Sequence, residues 1–321
     1  MTVLAIEDLR VDFATSDGWL SALDGVSFEV AEGEVVGLVG ESGCGKSTLA
    51  NAVMGLLPAN ARVSGRIAYR DRDLLAMGDE ERRRLRGDRI SMVFQDPLTA
   101  LDPTASIGSQ VSETVRAHRR VSRSEARGRA IDVLGEVGIP DAARRFGDPP
   151  HRFSGGMRQR VVIATALAND PDVLIADEPT TALDATIQAQ ILTLLGELRV
   201  RHRMATLLIT HDLGVVAQTC DRVGVLYAGQ LAELAPTAEL FAAPRHPYTR
   251  TLLAALPTVD HARGRLPSVE GLVPDLVAPP PGCRFSPRCP HAMPECAVHP
   301  RLARDGAHAV ACWLHDRSPV A

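Results

Sequence analysis

Gly40-Glu41-Ser42-Gly43-Cys44-Gly45-Lys46-Ser47, continued by Thr48, fits the phosphate-binding pattern G-x-x-x-x-G-K-[ST]. Residues 34–39 before it are short, apolar and β-branched, which predicts a buried strand, and residues 47–54 after it predict a helix. Strand, Gly-rich loop and helix in that order close backbone N–H groups around phosphate oxygens at the positive end of a helix dipole. Lys46 is then expected to reach the β- and γ-phosphates, and the Ser47 hydroxyl to hold Mg²⁺. Lys46 is also the single lysine among 35 basic residues. Coding bias toward Arg explains the skew, but bias removes Lys only where Arg can replace it. The surviving Lys marks a place where a compact ammonium is required.

Outward from this loop, three more apolar runs end in polar residues. Residues 171–178 predict a buried strand that closes on Asp177 and Glu178. At the carboxyl edge of a parallel sheet such acids face the ligand crevice. Asp177 is expected to orient Mg²⁺ and Glu178 to polarise the attacking water as general base. Residues 205–210 predict a strand running into His211, placed to donate to the γ-phosphate, and residues 90–94 one running into Gln95. Gln95, with both a donor and an acceptor, can touch metal or water and release them as its loop moves.

The chain has 321 residues, enough for about two domains. Its 45% hydrophobic and 23% charged residues exclude a disordered chain, a collagen and a small disulfide scaffold. The formal net charge of −4 gives no basic field for nucleic acid, and the charge run at residues 80–86 reads as a solvated helix face. The longest apolar run, residues 309–314, falls far short of the ~20 a membrane-spanning helix needs. Residues 1–8 carry acid where an export signal carries base, so none is expected, and membrane association is expected to come through partners.

Phe153-Ser154-Gly155-Gly156-Met157-Arg158-Gln159-Arg160 resembles the signature motif of ATP-binding cassette (ABC) proteins and opens an apolar-periodic helix with Ser154 as N-cap. The resemblance implies an α/β fold of the ABC P-loop type: a RecA-like core, an antiparallel β subdomain from residues 1–35 and about 62–75, and an inserted helical subdomain at about 96–160. Within the latter, Ser122-Arg123-Ser124-Glu125 fits a capping box. It implies that Ser154, Gly155 and Gly156 cap the γ-phosphate of ATP bound to the opposite subunit of a head-to-tail dimer. Gln95 and His211 match the family's Q-loop and switch histidine, and Pro179-Thr180-Thr181-Ala182-Leu183-Asp184 its D-loop. The family's adenine-stacking aromatic is assigned to Phe13, with Trp19 as alternative. Hydrolysis is expected to be competent, with Lys46, Gln95, Glu178 and His211 as the catalytic set.

Met157 in the signature, Gln95-Asp96-Pro97-Leu98-Thr99-Ala100-Leu101-Asp102-Pro103, Arg245-His246-Pro247-Tyr248-Thr249-Arg250-Thr251-Leu252-Leu253 and Cys283-Arg284-Phe285-Ser286-Pro287-Arg288-Cys289-Pro290 resemble oligopeptide/dipeptide importer subunits. That implies a cassette over residues 1–245 and a transporter-type C-terminal domain over 246–321. The partners implied are two transmembrane permease subunits, a second ATPase subunit (itself or a related chain) and, indirectly, an extracytoplasmic binding protein, with the chain on the cytoplasmic face of the membrane. Nickel-chelate or glutathione import is an alternative, a soluble non-transport ABC ATPase a more distant one; no heptad run lies between Lys46 and Ser154 to favour the latter.

The Pro-rich residues 257–282 cannot be a regular helix or a central strand and are expected to wrap over a surface. Cys283, Cys289, Cys296 and Cys312 follow with spacing C-x5-C-x6-C-x15-C. Such a group suggests metal ligation over disulfides, without the close pairs of a zinc ribbon. The importer resemblance points to a [4Fe–4S] cluster on these thiolates; zinc and unmetallated thiols stay open.

Overall fold

The computed structural model describes residues 1–181, 183–256 and 271–315. The chain folds as two compact units, each assembled from separate stretches: Met1–Leu4, Val30–Glu34 and Tyr69–Leu208 form the first, and Ala5–Glu29, Val35–Ala68 and the described part of 209–321 the second.

In the second unit, β1 (Thr2–Thr15), β2 (Gly18–Ala31) and β4 (Ala61–Tyr69), for most of their length, lie side by side in the order β2-β1-β4. Residues 1–35 and 62–75 were expected to be strand-like, and these strands account for most of them. A second sheet carries β3 (Val35–Val39), β9 (Arg222–Tyr227), β10 (Gln230–Pro236), β12 (His308–Val310) and β11 (Ala303–Asp305), in the order β3-β9-β10-β12-β11. β3 and β9 are parallel, from Val36 opposite Arg222 to Val39 opposite Val225. All five residues of β3 are buried, as a parallel strand covered on both faces requires. β9 and β10 are antiparallel with an irregularity between Leu231 and Glu233, and β10 then pairs with β12 at Glu233–Val310 and Leu234–Ala309. Strands β11 and β12 thus add a hairpin to the sheet that carries the phosphate loop. In the Pro-rich connector, residues 271–282 contain no helix or strand, and the Leu276 carbonyl accepts from Ser21 N at 2.9 Å, so this part lies along β2. Residues 257–270 of that stretch lie outside the described residues.

The first unit holds the short β5 (Arg72–Asp73), then β6 (Ile90–Val93), β7 (Val173–Asp177) and β8 (Ala205–Ile209), the last residue of which belongs to the second unit. β6 and β7 are parallel, Ile90 opposite Val173 through Val93 opposite Ala176. Helices Ile107–His118, Arg123–Glu136 and Gly155–Leu167 bury Val111, Val115, Val133, Leu134, Ile163 and Leu167 in one apolar core. The predicted capping box is present in full: Glu125 N donates to Ser122 Oγ at 3.2 Å, and Ser122 N to Glu125 Oε2 at 2.7 Å. Residues 80–86 overlap the exposed helix Asp79–Leu85, where Glu80 pairs with Arg83 and Arg84. Among the described residues no helix is long and apolar enough to cross a membrane.

Candidate nucleotide site

The phosphate loop leaves β3 at Gly40 and enters the helix Lys46–Met54, one residue earlier than its sequence pattern suggests. Glycine is required at both ends of the loop. A Cβ on Gly40 would sit 2.1 Å from the Leu226 carbonyl oxygen. Gly45 has φ 105°, and its Cβ would meet the Ala22 carbonyl oxygen at 2.6 Å. A Cβ on Gly43 would meet nothing within 4 Å, so the outer side of the loop is open there. The loop is braced by the β9–β10 turn, where Gly229 N donates to the Cys44 carbonyl at 2.9 Å.

Lys46 is buried, and its ammonium donates to the carbonyls of Gly40 at 2.8 Å and Glu41 at 3.0 Å. The compact cation is thus held inside the curve of its own loop, where a planar guanidinium has no such fit. Cys44 is buried with Sγ 3.7 Å from Lys46 Nζ. Burial raises its thiol pKa, and the Lys46 charge only partly opposes that, so Cys44 stays protonated at neutral pH.

Glu41 is held at every polar group. Its carbonyl accepts from Lys46, its N–H donates to Tyr248 Oη at 3.1 Å, and its carboxylate accepts a two-pronged pair from Arg288, at 2.8 and 3.2 Å. Arg288 Nη1 also lies 3.2 Å from Tyr227 Oη. Tyr227, Tyr248 and Phe285 form an edge-packed aromatic cluster with centroids 4.6 to 5.4 Å apart. Arg288, Tyr248 and Phe285 belong to the two tail segments whose resemblance placed the chain among importer subunits, yet the sequence assigned them no role.

In the first unit, Asp177 is buried at the end of β7 and Glu178 follows with φ 46°. That left-handed conformation is uncommon for a non-glycine residue and strained by about 1–3 kcal/mol, the kind of turn found where a side chain must be aimed. Glu178 Oε2 accepts from Gln95 Nε2 at 2.9 Å and from Thr181 Oγ1 at 2.8 Å. Two residues picked independently from separate strands therefore meet. Ser154 caps the helix Gly155–Leu167, its Oγ accepting from Met157 N at 3.4 Å. Ser154 and Gly155 are exposed and Gly156 is buried.

His211 is exposed two residues beyond β8. The neighbouring Asp212 caps the helix Leu213–Thr219 by accepting from Gly214 N and Val215 N. In the D-loop stretch, Asp184 likewise caps Ala185–His202, and Ala182 lies outside the described residues. Phe13 is half-buried on β1. Trp19 has one ring face covered by the Arg62 guanidinium, 3.5 Å from the centroid, which disfavours it as a stacking platform.

Cys283, Cys289, Cys296 and Cys312 line one cavity with His246, Phe285 and Trp313. All four are free thiols. Burial pushes Cys283 up to about 11, with the other three thiols adding to the effect, and burial raises Cys289 and Cys312 too. Among the described residues, no group of three or more His, Cys, Asp or Glu is arranged to hold a metal ion.

The profile of the ABC transporter family matches residues 23–181, and that of the oligopeptide/dipeptide transporter C-terminal region matches residues 232–296. The dipeptide transport ATP-binding protein DppD of Bacillus subtilis (strain 168) is 50% identical, the match covering 98% of this chain and 95% of that one. The chain belongs to the ABC transporter family, among the ATP-binding proteins of peptide transporters. The oligopeptide transport ATP-binding protein OppD of Salmonella typhimurium is 47% identical over 94% of this chain and 90% of its own. Among solved structures, the ATP-binding cassette MJ0796, dimeric in a post-hydrolysis state bound to ADP and Pi, superposes with a TM-score of 0.65 at 29% identity, covering 73% of this chain and 98% of that one. The member described here is accordingly an ATPase coupled to transport, with the α/β ABC fold that the signature implied.

Proposed function

We propose that this chain powers the import of peptides through two permease subunits, working as a head-to-tail ATPase dimer with itself or a related chain on the cytoplasmic face of the membrane. An extracytoplasmic binding protein would deliver the peptide. The cassette would comprise residues 1–245, its helical subdomain about 96–160, and the C-terminal domain residues 246–321.

The loop amides of residues 40–48 and Lys46 bind the polyphosphate, and Phe13 stacks on adenine. Ser47, Asp177 and Gln95 would hold Mg²⁺, which would supply positive charge to offset that of the phosphates. Glu178 takes the proton of the attacking water, and His211 donates to the γ-phosphate. Ser154, Gly155 and Gly156 of the partner close the other side through bare amides at a helix N-terminus. The observation that carries the coupling is the hydrogen bond from Gln95 to Glu178. It ties the general base to the first residue of the segment that faces the permease, so movement of one is felt by the other.

The donor set of the tail is four thiols that line one cavity. Thiolates are the ligands that iron–sulfur clusters take, and the resemblance to peptide-importer subunits carries the choice of group. We assign a [4Fe–4S] cluster to Cys283, Cys289, Cys296 and Cys312. The raised pKa values of Cys283, Cys289 and Cys312 mean that loading would release protons.

In Glu178→Gln, ATP binding is expected to persist, turnover to vanish and the ATP-bound dimer to accumulate. Steady-state hydrolysis at the parent rate would refute the general-base assignment.

A further inference from the structure

ATP brings several negative charges to a loop that already contains a carboxylate, Glu41. Left alone, that group would repel the ligand it borders. It is not left alone: Arg288, only 5% exposed, binds it in the bidentate geometry that gives the strongest charge-assisted pairs. Tyr248, fully buried, takes the Glu41 N–H, and the Glu41 carbonyl receives Lys46. One residue of the phosphate loop is thus gripped from one side by the C-terminal segment and from the other by the lysine assigned to the β- and γ-phosphates.

Arg288 is itself firmly anchored. Cys283 and Cys289 bracket the segment, within which Phe285 packs on Tyr227 and Tyr248. Arg284, 4% exposed, reaches the Ser21 carbonyl at 3.1 Å and Asp24 at 3.2 Å. The segment therefore cannot shift without moving the groups on Glu41.

We infer that Arg288, assisted by Tyr248, is a positioning residue for ATP, cancelling the Glu41 charge and fixing the first half of the phosphate loop so that the four-cysteine segment and the nucleotide site are energetically coupled. This rests on the reading of residues 40–48 as the phosphate site. By reciprocity, whatever the segment contributes to ATP affinity, bound ATP returns as stability of the segment.

The test is calorimetric titration of the full chain with ATP·Mg²⁺. Arg288→Ala should weaken binding on the order of tenfold, since it strands a partly buried carboxylate beside the phosphates. Adding Glu41→Gln to Arg288→Ala should recover part of that loss, because it removes the stranded charge; a scaffold defect would not be recovered. Arg288→Lys, which keeps the charge without the fork, should fall between parent and Ala and carries the test should Arg288→Ala fail to fold. Amide exchange of residues 283–296 should slow on adding ATP·Mg²⁺ in the parent protein. Parent affinity in both Arg288 variants, no recovery in the double variant, or unchanged exchange in the parent would each overturn the inference. Lys46→Ala separates the two readings: if it binds ATP normally, the phosphate-site assignment fails; if it alone loses binding, only the role of Arg288 fails.

Discussion

Two adjacent glycines in the signature offer a way to separate packing from ligand recognition. A Cβ on Gly156 would lie 2.4 Å from Ile187 Cγ2, whereas one on Gly155 would first meet Leu183 Cδ2 at 3.6 Å, an ordinary contact. Ile187 sits near the start of the helix Ala185–His202 and packs against the apolar core of the first unit. As a β-branched residue in a helix it has little rotameric freedom with which to retreat. Gly156→Ala is therefore an overpacking change costing about 1–3 kcal/mol, offset by ~1 kcal/mol of helix propensity, for a net loss of up to about 2 kcal/mol. Gly155→Ala should hold stability within about 0.5 kcal/mol. Function should follow the reverse order: Gly155 is the exposed member, and a methyl group there obstructs approach to the helix amides. The assay is urea unfolding of both variants, followed by ATP-dependent dimerisation in a Glu178→Gln background. Ile187→Ala should relieve most of the Gly156→Ala penalty in a double-mutant cycle. Equal destabilisation by the two glycine substitutions, or no relief from Ile187→Ala, would refute the packing account. An undiminished dimer in Gly155→Ala would refute the assignment of that amide to the partner's nucleotide.

Ser154→Arg, at the exposed cap of the same helix, should abolish the ATP-dependent dimer by size-exclusion chromatography while each monomer still binds ATP. Glu136 is raised by burial but brought below the usual carboxylate range by His202 and Arg201, 2.8 and 2.9 Å away. With the folded value lowered, its contribution is present above the unfolded value of 4.5 and lost as pH falls through the folded one. Glu136→Gln should thus lower stability at neutral pH, a gap that closes as the pH falls below 4.5 in denaturant titrations. Anaerobically purified protein should carry iron and acid-labile sulfide in near-equal amounts and lose both in Cys289→Ser; zinc, or no metal, would overturn the cluster assignment.

Much of the site was legible because its signals are local. The phosphate loop, the Ser154 cap and the Ser122–Glu125 box each lie within a few residues of chain, where spacing alone fixes which N–H meets which oxygen. The Gln95–Glu178 contact was foreseeable as well, since apolar strands that pair in parallel bring their carboxyl ends to one edge. Arg288 on Glu41 was not, because 247 residues separate them and an Arg in an Arg-rich chain carries no distinguishing signal. Nor was the hairpin of β11 and β12, whose three-residue strands are too short for any period to show. What draws that hairpin to β10 is Glu233, a carboxylate with no exposure in a strand whose only other polar side chain is Gln230. Arg245 N at 2.6 Å and His246 N at 3.0 Å donate to it, and His308 Nε2 lies 2.7 Å away. Without them a buried charge would stand unsolvated, at a cost of several kcal/mol. The tail is therefore not appended to a finished cassette: Glu233 requires His246 and His308 as Glu41 requires Arg288, and in both cases an acid of the core sheet or its loop is completed by a base or amide from the C-terminal segments.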